Sequence, residues 1–64
     1  MTLQDIQHAT KAVELLEMVE EELLKVGNEN IASLANTTGE ISETIIYNLK
    51  KETGLKWSEL EARS

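Results

Sequence analysis

Ala9-Thr10-Lys11-Ala12-Val13-Glu14-Leu15-Leu16-Glu17-Met18-Val19-Glu20-Glu21-Glu22-Leu23-Leu24-Lys25-Val26 is the stretch whose reading decides the fold. Ala9, Ala12, Leu16, Val19, Leu23 and Val26 recur at intervals of 3, 4, 3, 4 and 3, the seam of a helix packed along its length. Val13 and Leu15 flank the seam, and Ile6 and Leu3 extend it toward the N-terminus, so the apolar face is wider than a two-stranded coiled coil requires. The pattern predicts one long helix over about residues 2–26. At 1.5 Å per residue such a helix is about 37 Å long, more than the residues after it can cover as a small bundle. Its surplus face is expected to meet a second copy of the chain or another protein.

Outward from this helix, glycines punctuate the chain. Gly27, Gly39 and Gly54 each follow an apolar-periodic stretch, where glycine is the common helix stop, and no proline intervenes. They predict shorter helices over about 28–38 and 40–53. Asn28 is a good N-cap, with Glu29 favourable beside the helix dipole. Ile31, Leu34 and Ala35 share a face of the second helix. Ile41, Ile45 and Leu49, four apart, are expected to build the internal core from the third, with Ser42 or Thr38 as its cap. Lys50 and Lys51 suit its C-terminal dipole. Ser58 and Glu61 have capping-box spacing and start a short helical turn over about 58–63, with Trp57 and Ala62 at staple positions. Trp57 is expected to cover an open end of the core.

The expected fold class is therefore all-α, a small helical bundle of one domain over 1–64, completed by dimerisation. Dependence on a partner also follows from size. A 64-residue chain buries only about 60% of its unfolded surface, and chains this small commonly need disulfides, a metal or oligomerisation. With no cysteine and a single histidine, neither disulfides nor a Cys- or His-based metal site can help. Leu, Ile and Val number 17 against 18 charged residues, a balance of folded rather than disordered chains.

Twelve acids against six bases give a net charge of −6, which opposes general phosphate-backbone binding. No apolar run reaches the roughly 18–20 residues of a membrane span. The first residues lack the basic region of a secretory leader, so the expected location is the cytoplasm and the Asn36-Thr37-Thr38 glycosylation pattern is read as chance. Catalysis is not expected. His8, on the first turns of the long helix with Asp5 three residues before it, is the one side chain titrating naturally near neutrality, and no phosphate loop or metal-binding motif accompanies it. No cofactor, metal or small-molecule substrate is expected. The acids Glu14, Glu17 and Glu21 form a stripe that keeps the helix solvated and steers a basic partner. Glu21 also stands four before Lys25, the favourable orientation for a helix pair.

From Ile31 to Lys51, the sequence resembles a bacterial helix-turn-helix. Ala35, Gly39 four later and Ile45 six beyond match the small-residue, turn and buried-aliphatic positions of that motif. Glu40 stands where an aliphatic residue is usual. The resemblance implies a sharp turn at Gly39 and a recognition helix with Ser42, Glu43, Thr44 and Tyr47 near the bases. Ile31–Leu49 contains no Lys or Arg, so Lys50 and Lys51 would grip phosphate. The preferred expectation is a small acidic regulatory or adaptor protein acting by protein binding and self-association. A dimeric helix-turn-helix DNA-binding regulator is the alternative.

Overall fold

In the computed structural model, which describes residues 1–63, the long N-terminal helix α1 spans Leu3–Leu24. Thr2 caps it. The Thr2 hydroxyl accepts from the Asp5 N–H at 3.1 Å, and the Asp5 carboxylate accepts from the Thr2 N–H at 2.9 Å, closing a reciprocal box. The helix stops at Leu24, two residues before Val26, and Lys25–Asn28 carry the chain away from its axis.

Asn28 is the expected cap of the next element. Its side-chain oxygen accepts from the Ile31 N–H at 3.1 Å and starts α2, Glu29–Ala32. α2 is a single turn, and α3 then runs unbroken over Leu34–Thr53. The expected division into helices 28–38 and 40–53 is thus corrected: the break falls at Ser33, and Gly39 lies inside α3. A mid-helix glycine disfavours helix by about 1 kcal/mol. Packing of α3 along α1 outweighs that, with the Glu20 carboxylate seated where a Gly39 side chain would project. Neither Thr38 nor Ser42 caps a helix; the Thr38 hydroxyl donates to the Ala35 carbonyl at 2.7 Å within α3.

α3 ends as its sequence indicates. Gly54 takes the left-handed conformation, φ 70°, and its N–H donates to the Lys50 carbonyl at 2.8 Å. Lys50 and Lys51 occupy the last turn. The terminal helix α4, Trp57–Ala62, begins one residue before Ser58. The box uses Glu59, whose carboxylate accepts from the Lys56 N–H at 3.2 Å. The residues flanking this start, Leu55 and Leu60, are the hydrophobic staple in place of Trp57 and Ala62.

α1 and α3 form an antiparallel hairpin: Ile6 shares a core cluster with Leu49, while Glu20 meets Gly39 nearer the connection. The molecule measures 40 × 17 × 16 Å. α4 folds across the open end, where Leu60, fully buried, joins Ile6 and Leu49. Ala9, Ile45, Leu55 and Trp57 pack around them, so Trp57 covers the core as expected. Thr10 is buried beside this cluster, its hydroxyl donating to the Ile6 carbonyl at 2.9 Å with the Gln7 carbonyl 3.0 Å away. No strand occurs among the described residues.

Candidate interaction surface

α1 has two apolar lines. Ile6, Thr10 and Val13 are buried against α3 and α4, and Glu20 continues the same side half-buried. The predicted seam lies beside that line. Ala9, Ala12, Leu16 and Leu23 are half-buried, whereas Val19 is 46% and Val26 38% exposed. The spacing therefore found a real stripe, but one turned toward the flank of the hairpin. The inward line lacks a continuous apolar period because it contains Thr10 and Glu20. Its apolar members, Ile6 and Val13, are seven apart on one helix face, a signal already present in the sequence.

Leu15, Met18, Val19, Glu22, Leu23 and Val26 line a shallow, mainly apolar groove along the C-terminal half of α1. α3 contributes exposed apolar side chains of its own. Ile41 is 46% and Leu34 52% exposed, and Ile45 is half-buried. Of the three residues expected to build the core from this helix, Leu49 is buried, Ile45 partly, and Ile41 stands open. Ile41 stands open because eight residues at about 100° each place it about 80° round the helix from Leu49, off the α1 contact.

The acidic stripe is exposed at Glu14, Glu17 and Glu21. Glu20 instead lines a groove with Leu24, Ala35, Asn36, Gly39, Glu40 and Glu43, bridging α1 and α3. Lys25 pairs with Glu22 at 3.1 Å, rather than with Glu21, and Lys11 with Glu14 at 3.7 Å. Both pairs are exposed and each is worth at most about 1 kcal/mol. The Asp5 carboxyl lies below its ordinary range because the Thr2 N–H and hydroxyl hold its ionised form. His8, beside it, is exposed.

Four of the six residues expected to approach DNA share a groove. Glu43, Tyr47, Lys50 and Lys51 line one groove with Ile46, whereas Thr44 faces another formed with Thr37, Glu40, Ile41 and Ile45. Ser42 is half-buried. The turn that would set one short helix across another is replaced by continuous helix through Gly39. Among the described residues no group of three metal-ligating side chains gathers, and no helix is long and apolar enough to cross a membrane. No family model, curated protein or solved structure matches the chain significantly.

Proposed function

We propose that this chain is a small acidic regulatory or adaptor protein that works in the cytoplasm by binding protein, including a second copy of itself, without catalytic chemistry. One observation carries the reading: among the described residues, eleven large hydrophobic side chains are exposed, against five buried apolar residues. Exposed apolar residues scattered singly are ordinary, but a contiguous patch marks an interaction site. Here Leu15, Met18, Val19, Leu23 and Val26 share one groove. Ala12 and Leu16 border it, Ala9 continues the stripe toward the α4 end, and Glu14, Glu17 and Glu21 steer the encounter with a basic partner without adding much to final affinity.

The DNA-binding alternative has no turn at Gly39 to support it and no basic side chain on α3 before Lys50. Sedimentation equilibrium tests the preferred reading. The expected result is a mass above the 7.2 kDa of one chain that rises with concentration. A mass of 7.2 kDa at every concentration overturns self-association. Micromolar, steeply salt-dependent binding to random duplex DNA at about 50 mM salt would favour the alternative.

A further inference from the structure

The apolar flank is built by both long helices. An α-helix turns about 100° per residue, so Leu16, Val19 and Leu23 lie about a quarter turn from the inward Ile6–Val13–Glu20 line of α1. Leu34, Ile41 and Ile45 lie about a quarter turn from the Ala35–Leu49 line of α3. The two offsets have the same sense, and in an antiparallel pair equal-sense offsets fall on the same side. Glu14, Glu17 and Glu21 on α1 and Glu43 on α3 turn the other way. The hairpin therefore has an apolar flank and an acidic flank.

We propose that the apolar flank, α1 and α3 together, seats a second copy of this chain and closes a four-helix bundle with the acidic flanks outward. The proposal rests on the self-association reading above and adds which surface does it and what occupies it. Three observations select a second copy. The first is area. The chain exposes 4731 Å². A folded monomer of 7.2 kDa is expected to expose about 4100 Å². The surplus of about 600 Å² means that the 40 × 17 × 16 Å hairpin leaves more surface uncovered than a closed monomer of its mass, and a standard interface buries roughly 800 Å² per partner.

The second is charge. A self-paired face meets its own charges, which is unfavourable for an acidic protein unless the acids lie elsewhere. Along the connection half they do, with Glu22 and Glu40 exposed at the rims of the flank; Asp5 and Glu52, seven residues from Ala12 and Ile45, share the flank only at the α4 end. A basic partner would choose the opposite side. The third is the core. Beyond Val13 on α1, Ala35 is the one buried apolar residue in the connection half of the hairpin, so this half needs a permanent cover. A symmetric dimer supplies it from the same gene product, patch on patch.

The test is sedimentation equilibrium of the full chain and of Ile41→Glu, with helicity followed by circular dichroism. Ile41 lies on the flank but off α1, so it separates a two-helix interface from one made by the α1 seam alone. The wild type is expected at about twice 7.2 kDa. Ile41→Glu is expected to remain helical and to dissociate at least about 100-fold more readily, because a symmetric interface carries the substitution twice. A wild-type dimer matched by an equally tight Ile41→Glu dimer overturns the two-helix flank and leaves self-association through α1 standing. A wild type that is monomeric throughout overturns both.

If Ile41→Glu fails to fold, Ile41→Cys replaces it, since the chain has no other thiol. Its reaction with a maleimide is expected to slow at least about tenfold from dilute to dimer-forming concentration. An unchanged rate overturns the proposal.

Discussion

The two ends of the hairpin are finished to different degrees. At the α4 end, Ile6, Leu49 and Leu60 are buried and four partly buried apolar residues close around them. At the connection end, Met18, Leu24 and Leu34 are more than half exposed, and Ala35 is the buried apolar residue. The same two helices run through both regions, so helix formation does not explain the contrast. A third element does. Two helices can bury only the line along which they touch; α4 adds the buried Leu60 at one end, whereas the single-turn α2 at the other buries no residue. The α4 end is a complete core, and the connection end is one layer of a core.

The sharpest way to break that contrast is at Leu60, whose side chain is fully buried. Leu60→Ala is expected to lose about 3 kcal/mol through lost burial and the cavity left behind. In so small a chain that removes most of the stability, and urea unfolding should show it. An exposed connection-end residue such as Leu24, cut to Ala, should change stability by less than about 0.5 kcal/mol, and an equal loss at both sites would erase the contrast.

Thr2→Ala removes the hydroxyl of the α1 cap and should lower stability by about 1 kcal/mol, read as a lower urea midpoint with unchanged slope. Gly39→Ala should act in the other direction. Gly39 lies within α3 without the left-handed φ that Gly54 has, and the added methyl meets only the mobile end of the Glu20 side chain, at 3.3 Å. A gain of about 0.5–1 kcal/mol is expected from helix propensity, seen as a higher melting temperature. A loss would mean that the Glu20 carboxylate cannot give way to the methyl or that the chain does turn at Gly39.

The smallest effect concerns pH. Asp5 has its folded pKa lowered by Thr2, so its contribution is present above the ordinary carboxylate value and is lost as pH falls through the lowered one. Asp5→Asn should therefore lessen the fall in stability below about pH 4 and leave the rest of the pH profile nearly unchanged.

The sequence made the helices legible where local chemistry decides them. Asn28, Gly54 and the Lys50–Lys51 pair all act as their residue types suggest. It misled at Gly39, because a glycine marks a stop only when tertiary contacts do not hold the helix together, and those contacts come from Glu20 and its neighbours on another helix. The seam at Ala12, Leu16, Val19 and Leu23 was readable as a stripe. That it lies beside the hairpin contact rather than on it depends on how α1 is rotated. Thr10 and Glu20 stand on the inward line, where their polar side chains conceal it from an apolar period. Leu60 was invisible for a related reason: one leucine in a six-residue helix carries no period.

The contact between Ile6 and Leu60 also orders events in time. α1 and α3 are joined by a short connection and zip together with little loop to close, a step that topology makes fast. Docking α4 onto Ile6 spans almost the whole chain, and its loop-closure entropy is offset only once Leu49 is in position to receive Leu60. Until α4 docks, the hairpin is therefore apolar at both ends.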